Sequence, residues 1–494
     1  MKVLSNAQLE LMRSRLADAG IAVAADPAAP PAATEPTPTD GALGIAERRM
    51  WKIYELDPES DAHNFAVRLH FGAPYTIESV IAAAERLVAA SRVFGSVIEI
   101  DDADTPRRRA APRQGRWVIP GQLWQWGEIA DAPTQSATPL ATDLLLADDV
   151  TALAKAPFRL RSEQPCRMRI RALDDGVHMV LVLHHLAGDE TILPPVLTSL
   201  VGLESTEVAV PTAGGTAVGA PPRTGPHAEA AIYHAESTWA APGIRYPLSR
   251  SLPETSPADS WLSVMGEGPG RLLRRTINDD RITALRVFAR AVDATPNALF
   301  VVLSALTVAI QSGSTDFVIL VPADNRRPEE TTDIVGYSGN IIPMRFTFDV
   351  RATVADAVRG AVATVYDAME YSTVDYGTIL TALRQRGGRF PVVEVMTLVK
   401  NAPLRGVPLP AGAQVTCETI FKDVVHYPLS ISFEFDEHDH LHLEVEYRTD
   451  ILDTGYAQQV AQTVEALTEL LPQSAAAPLA DLFSAVREHT APAV

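Results

Sequence analysis

Alternating and helical patterns of apolar residues predict a chain that mixes strands and helices. From Asn64 to Phe71, apolar residues alternate with polar ones, which predicts a strand with one buried face. Thr76 is a predicted helix N-cap, and the apolar positions from Ile77 to Val88 recur at helical spacing. A strand followed directly by a helix is therefore the first predicted unit.

The second half of the chain repeats this mixture. Thr295 and Pro296 are residue types favoured at the N-cap and first position of a helix, and the apolar run that follows to Ile310 predicts a buried helix. The other predicted elements are a strand at Phe317 to Pro322, a hairpin with one buried face at Leu429 to Phe435 and Leu441 to Tyr447, and a closing helix at Tyr456 to Leu471. Both halves have apolar content of their own, so we predict two α/β lobes.

Stretches rich in Pro, Ala, Gly and Thr divide the chain. Two of them, Ala22 to Gly41 and Ser205 to His227, are typical of linkers. Before the first lies a predicted amphipathic helix, Ser5 to Ala19, which either packs on the body or docks a partner protein. The predicted domains are residues 1–43 as an N-terminal helix and linker, 44–227 as an N-terminal lobe and 228–494 as a C-terminal lobe.

Composition narrows the classes of partner. The 494 residues include 61 acids and 42 bases, and the net charge of −19 opposes attraction to nucleic acids or anionic membranes. Cys166 and Cys417 are the only cysteines, too few for a disulfide framework or a zinc-cysteine cluster. The start of the chain lacks the continuous apolar core of a secretory signal. We expect a cytoplasmic protein whose partners are small molecules or proteins.

The segment from Val177 to Glu190, VHMVLVLHHLAGDE, is the strongest candidate for chemistry. A predicted strand at Met179–Leu183 delivers His184 and His185 at its carboxyl end. Neighbouring strand residues point to opposite faces, so only one of the two can face a given cavity. Histidine is suited to general-base catalysis near neutral pH, although a purely structural role for the pair is the alternative. Asp189 is near enough to order the loop or to balance a charge.

Four segments resemble one family in the same order along the chain. HHLAGDE resembles the HHxxxDG motif of nonribosomal peptide synthetase condensation domains, which belong to the acyltransferase superfamily that includes chloramphenicol acetyltransferase. The other three are ERRMWKIYELDP at Glu47–Pro58, VPADNRRPEETTDIVGYSGNIIPMR at Val321–Arg345 and FPVVEVMTLVKNAP at Phe390–Pro403. The segment Val321–Arg345 follows the family's VGxFxNxxPxR pattern through Val335, Gly336, Asn340, Pro343 and Arg345. The resemblance covers about Gly44 to Leu482.

The resemblance implies a V-shaped pair of chloramphenicol-acetyltransferase-like lobes with a central tunnel. Peptidyl or acyl carrier proteins would present substrates on phosphopantetheine, with no cofactor bound by this chain, and the acceptor would be a small molecule or carrier-bound. His185 would take the proton from, or orient, the attacking amine or hydroxyl. The supporting residues would be His184, Gly188, Asp189 and Glu190, and Tyr337 and Asn340 would line the tunnel.

Three departures from the family pattern stand out. Glu190 occupies the motif's glycine position, where a side chain could narrow an entrance. Gly95 stands where the family has the arginine that pairs with the motif aspartate, so Asp189 needs another cation, with Arg167, Arg169 and Arg171 as candidates. Pro194 and Pro195 each lack a backbone donor and are expected to interrupt the helix that follows the motif.

Two other clusters of polar residues have simpler explanations. His438, His440 and His442 share one strand face and could bind a metal ion, but their place on the polar side of a hairpin favours solvated surface, and we predict no metal site. Arg107, Arg108 and Arg109, with Arg113 and Arg116, form a dense basic cluster. It is predicted to be a solvated loop, with docking of an acidic carrier protein as the alternative.

Three functions remain open from the sequence. The leading hypothesis is a free-standing condensation enzyme that joins a carrier-bound thioester donor to an amine or alcohol, because the chain ends soon after the second lobe. The alternative is a catalytically silent module of the same fold that binds a carrier protein or recruits a tailoring enzyme. A further alternative is an acyltransferase that takes its donor from coenzyme A.

Overall fold

The computed structural model describes residues 41–111, 115–127, 147–202, 267–324, 335–385 and 395–491. The predicted N-terminal helix and all of both predicted linkers except Gly41 lie outside these residues. The predicted domain bounds therefore stay a prediction.

Helices and strands alternate along both halves. The first half contains α1 (Ile45–Leu56), β1 (Asn64–Phe71), α2 (Ile77–Ala90), β2 (Ser96–Ile100), β3 (Pro106–Ala110), β4 (Arg116–Ile119), β5 (Leu123–Trp126), α3 (Ala147–Lys155), β6 (Cys166–Leu173), β7 (Gly176–His184) and α4 (Leu193–Val201). The second half contains β8 (Gly268–Ile277), α5 (Asp279–Ala291), α6 (Pro296–Ser312), β9 (Asp316–Asp324), β10 (Gly339–Thr347), α7 (Val354–Met369), α8 (Tyr376–Gln385), β11 (Val395–Asn401), β12 (Val415–Thr419), β13 (Val424–Val425), β14 (Leu429–Phe435), β15 (Leu441–Arg448), α9 (Thr454–Gln473) and α10 (Leu479–Thr490).

An antiparallel six-stranded sheet forms the centre of the first half. Its strand order is β12-β1-β7-β6-β5-β4, so β7 lies in the interior between β1 and β6. Apolar residues of α2 and α4 cover one face, and those of α1 and α3 cover the other. The edge strand β12 comes from the second half of the chain, so the two halves share this sheet.

A mixed seven-stranded sheet forms the centre of the second half, in the order β10-β9-β11-β14-β15-β8-β13. Only β11 runs parallel to its neighbours, β9 and β14. Helices α5, α6, α7, α9 and α10 bury one face of this sheet. The opposite face carries a small apolar cluster under α8 and, farther along, the charged side chains of Lys400, Glu434 and Glu444.

The elements predicted from periodicity are confirmed where the structure describes them. Strand β1 begins at Asn64, and the Thr76 side chain caps α2 by accepting a hydrogen bond from the backbone N–H of Ser79. Thr295 caps α6 in the same way through the backbone N–H of Ala298. The hairpin β14–β15 and the helix α9 are also present.

Two local predictions are wrong. The hairpin was expected to have one buried face, but every residue of β14 is buried, because Arg274 and Lys400 supply cations for Glu434 on the polar face. Pro194 and Pro195 do not interrupt a helix. They lie in the first turn of α4, where backbone N–H groups have no intrahelical acceptor and proline therefore removes no hydrogen bond.

Among the described residues, no single helix is long and apolar enough to span a bilayer. Helices α5 and α6 are long and apolar enough when taken together, but the two helices are bent by 101° relative to each other.

Candidate functional site

The interior strand β7 carries the two histidines to the end of the sheet. His184 is its last residue, and the chain then forms two short 3-10 turns, His185–Ala187 and Glu190–Ile192. We call residues 184–192 the motif loop. Gly188 joins its two turns, and a Cβ atom there would lie 2.4 Å from the Ile192 side chain, so only glycine fits.

His184 is a buried part of the sheet end. Its side chain is 2% exposed and lies edge-on to the rings of Tyr54 and Phe158, at centroid distances of 5.8 and 5.9 Å. Its Nδ1 accepts a hydrogen bond from the backbone N–H of Leu186 at 3.0 Å, so this nitrogen has no proton. Burial lowers the pKa of His184 to about 3, and the ring is neutral at physiological pH.

His185 is partly exposed and presents a free nitrogen lone pair. Its Nδ1 lies 3.1 Å from the carbonyl oxygen of Gly188, and since a carbonyl only accepts, Nδ1 carries the proton. Nε2 of the neutral ring is then unprotonated, which is the form a general base needs. Burial lowers the pKa of His185, although the charge of Asp189 and the bond to Gly188 act in the opposite direction. The backbone N–H of His185 is fixed by the carbonyl of His63 at 2.8 Å.

Three further titratable residues, His63, Lys422 and His426, surround His185 and were not singled out by sequence reasoning. We call them the collar. The rings of His63 and His426 stack with centroids 4.6 Å apart, and that of His63 lies 6.3 Å from His185. Lys422 Nζ donates to the carbonyls of Asp61 and Ala62, and His426 Nε2 donates to Ala62 at 3.1 Å.

The collar joins the two halves of the chain at the motif loop. Lys422 and His426 come from the second half and hold the main chain that leads to His63, whose carbonyl fixes His185. Burial lowers the pKa of Lys422 to about 8 and that of His426 to about 4. No local spacing pattern could reveal this group, because its members are brought together by tertiary structure.

The second half also contributes the predicted tunnel residues. The ring of Tyr337 lies 6.0 Å from that of His185. Asn340 is 3% exposed, and its amide donates to the carbonyls of Ser372 and Val374 at 2.7 Å each while accepting from the backbone N–H of Tyr376 at 3.0 Å. In this structure the Asn340 side chain therefore holds the segment before α8, and its role towards a substrate stays a prediction.

Helix α1 contacts the key segments of both halves. Arg49 forms an ion pair with Asp375 and donates to the carbonyl of Gly339 at 2.6 Å. Two residues earlier, Glu47 accepts a hydrogen bond from Arg108 at 2.6 Å, and Arg108 also donates to the carbonyl of Leu186 in the motif loop at 3.2 Å. The helix thus connects the motif loop to the Asn340 strand.

The prediction of a solvated basic loop at Arg107–Arg109 is wrong. These residues form strand β3, which pairs with β2. Arg108 is buried with Glu47, both at 5% side-chain exposure, while Arg107 and Arg109 pair with Asp101 and Glu99. The three cations are neutralised by acids of the same chain, which weakens the case for carrier docking here.

Replacing Arg108 with leucine is expected to lower the free energy of unfolding by about 3–5 kcal/mol, because it leaves Glu47 charged, buried and without its cation. Arg109→Leu is the matched control. Its partner is exposed, and such pairs contribute at most about 1 kcal/mol. Chemical denaturation of the two variants measures the difference. Equal effects would show that the Arg108–Glu47 pair is not a structural anchor.

Asp189 and Glu190, the two acids of the motif, have different surroundings. Asp189 Oδ1 accepts hydrogen bonds from the backbone N–H of Thr191, at 3.1 Å, and from its hydroxyl, which caps the second turn of the motif loop. Arg167, one of the three cations proposed for Asp189, instead pairs with Glu163. Glu190 is 45% exposed, and Lys400 Nζ lies 3.9 Å from its Oε1.

Comparison with known proteins agrees with this fold. Residues 270–491 match the model of the Condensation domain family. The chain is 26% identical over 413 residues to phosphinothricin tripeptide synthetase PhsC of Streptomyces viridochromogenes, covering 77% of this chain and 34% of the synthetase. It is 24% identical over 468 residues to an isonitrile lipopeptide synthase of Mycobacterium tuberculosis, covering 88% of this chain and 17% of that protein. The match to the condensation domain family therefore lies in the second half of the chain. The chain spans about a third or less of the length of these two relatives.

Solved structures of condensation domains and of an X-domain share the fold of this chain. The first condensation domain of the calcium-dependent antibiotic synthetase, in complex with a substrate analogue, has a TM-score of 0.65 and 16% identity, covering 90% of this chain and 99% of that one. The X-domain from teicoplanin biosynthesis has a TM-score of 0.67 and 16% identity, covering 91% and 98%. The predicted resemblance to condensation domains and the predicted α/β fold are confirmed, whereas the V shape and the tunnel stay predictions.

Proposed function

We propose that this condensation domain transfers an acyl or aminoacyl group from a carrier-bound thioester to an amine or alcohol acceptor, with His185 as the general base. The observation that supports the proposal is the tautomer of His185. The Gly188 carbonyl retains the proton on Nδ1, so Nε2 of this partly exposed residue is left with a lone pair.

Each bond change in this reaction can be assigned. The acceptor nitrogen or oxygen attacks the thioester carbonyl, His185 Nε2 takes its proton, the carbon–sulfur bond breaks, and the proton returns to the departing thiolate on phosphopantetheine. No net charge is created. Aligned reactants reach effective molarities of about 10⁵ M or more, so most of the acceleration is expected from holding donor and acceptor beside His185.

Product formation with defined carriers tests this proposal. The protein is incubated with one carrier protein loaded with an acyl thioester and with a small-molecule or carrier-bound amine, and the products are weighed by mass spectrometry. The proposal predicts a product whose mass equals donor plus acceptor minus the thiol. Turnover with an acyl-coenzyme A donor and no carrier would favour the coenzyme A alternative, and no product across a broad donor panel would contradict catalysis.

Two observations support the alternative function, a module that binds a partner protein. The X-domain with the same fold has also been solved in complex with OxyB, at a TM-score of 0.64 to this chain. Glu190 adds a carboxylate to the motif position where the family has glycine. Binding of carrier proteins measured by calorimetry, without product in the mass assay, would favour this alternative.

Glu190→Gly is expected to weaken acceptor binding and to leave donor loading unchanged. The carboxylate lies at the end of the motif loop and is 45% exposed, so it is available to a positively charged acceptor. Because exposed ion pairs contribute at most about 1 kcal/mol, the melting temperature should hardly change. The measurement is KM for the acceptor at saturating donor. A rise in turnover would instead indicate an obstructed donor path, and unchanged kinetics would exclude both roles.

A further inference from the structure

A second histidine cluster lies at the opposite end of β7 from the motif loop. His70 on β1 and His178 on β7 are partners across the two strands, and their ring centroids are 4.7 Å apart. Asp175, in the turn between β6 and β7, approaches both. We propose that His70, Asp175 and His178 bind one divalent transition-metal ion, such as Zn²⁺, with solvent in the fourth position.

The backbone directs these three residues towards one point. Gly176 follows Asp175 at a φ of +142°, a conformation that side chains rarely adopt. A Cβ atom there would lie 2.5 Å from the carbonyl oxygen of Phe71 and 2.8 Å from His70 Nε2. The absence of a side chain at Gly176 therefore lets the turn fold against His70, which places Asp175 beside the two imidazoles.

The spacing of the ligand atoms suits a tetrahedral ion. Zinc binds histidine nitrogen at about 2.0–2.1 Å and carboxylate oxygen at about 2.0–2.2 Å, so neighbouring ligand atoms of a tetrahedral site lie about 3.3–3.5 Å apart. His178 Nε2 lies 2.9 Å from Asp175 Oδ1, and His70 Nε2 lies 3.9 Å from Asp175 Oδ2. These distances bracket the required value, and one ligand atom of each residue falls within 4.8 Å of the others. Binding an ion would replace two hydrogen bonds, that of His70 Nε2 to the backbone carbonyl of Asp175 at 3.0 Å and that of His178 Nε2 to Asp175 Oδ1.

The surroundings of the cluster allow an ion to enter. Asp175 is 66% exposed, while His70 and His178 are 29% and 17% exposed, so the imidazoles are partly fixed and the carboxylate faces solvent. Arg171, the cross-strand partner of His178, opposes a cation electrostatically and is expected to limit the affinity.

The hairpin cluster considered from the sequence is less suitable. Asp436 Oδ1 already accepts the backbone N–H groups of His438 and His440, at 2.9 and 2.8 Å, and Oδ2 accepts from the rings of His440 and His442. Metal binding there would have to compete with four hydrogen bonds that shape the turn. This cluster therefore serves as an internal control.

Metal titration of the full chain tests the site without any assumption about condensation. Metal-stripped protein is titrated with Zn²⁺ in competition with a chromophoric chelator, and Co²⁺ absorption reports the coordination geometry. Wild type should bind one ion, and His178→Gln and Asp175→Asn should each lower its affinity at least tenfold. Asp175→Asn keeps an acceptor for the His178 N–H, so a folding defect is not expected.

A variant of the hairpin cluster, His440→Gln, is the control. His440→Gln should leave the affinity and stoichiometry unchanged, and Zn²⁺ should raise the melting temperature of wild type but not of His178→Gln. Equal affinity of wild type, His178→Gln and Asp175→Asn would overturn the proposal. So would loss of binding in His440→Gln, or absence of one-to-one binding in wild type.

Discussion

His185→Ala is expected to reduce turnover by about 10²–10⁴-fold, the usual contribution of a positioned general base. The ring is partly exposed, and the sheet keeps its own hydrogen bonds without it, so the melting temperature should change little. Steady-state rates with loaded carriers, together with thermal denaturation, measure both effects. Equal activity of wild type and variant on authentic substrates would remove the catalytic assignment.

His184→Ala provides the matched control, because the neighbouring imidazole has the opposite surroundings. Its removal leaves a cavity between Tyr54 and Phe158 and leaves the backbone N–H of Leu186 without its acceptor. An unsatisfied buried donor alone costs about 1–3 kcal/mol, so this variant should chiefly lose stability. If His184→Ala proved stable but inactive, the catalytic role would have to be assigned to His184 and the structural role to His185.

His184 and His426 together are expected to remove about 2.5 kcal/mol of folding free energy between pH 7 and pH 5.5, and His63 acts in the same direction. His63, His184 and His426 all have a pKa lowered by burial, to about 3 for His184 and about 4 for His426. In the unfolded chain each takes up a proton below about pH 6.5, while the folded protein keeps them neutral. The unfolded state then binds more protons, so stability falls with falling pH, by about 1.4 kcal/mol per histidine per unit.

Denaturant titrations at the two pH values measure this loss. His184→Gln should remove about 1.3 kcal/mol of this loss, because it deletes one buried histidine whose pKa is lowered to about 3. His438→Gln is the control, because the His438 side chain is exposed and lies outside the buried group of histidines. A pH dependence equal in wild type and His184→Gln would show that His184 is not held neutral by burial.

Local patterns were enough to predict the elements that carry the site. Period-two alternation identified β1 and the hairpin, and cap residues identified the starts of α2 and α6, because these features depend only on near neighbours in sequence. The motif residues were also visible, since His184, His185 and Asp189 lie within one short segment. The prolines of α4 were misjudged because their effect depends on their position in the helix, which the sequence leaves uncertain by a few residues.

What the sequence by itself determined, then, is the order of strands and helices, the family resemblance and the motif that bears the candidate base. Tertiary structure alone decided which residues surround that base. His426 and Lys422 reach His63 only because β12 crosses from the second half into the first sheet, and Arg108 reaches the motif loop only because β3 pairs with β2. Contacts between residues so distant along the chain depend on how sheets and helices pack, and no local period or spacing records that packing.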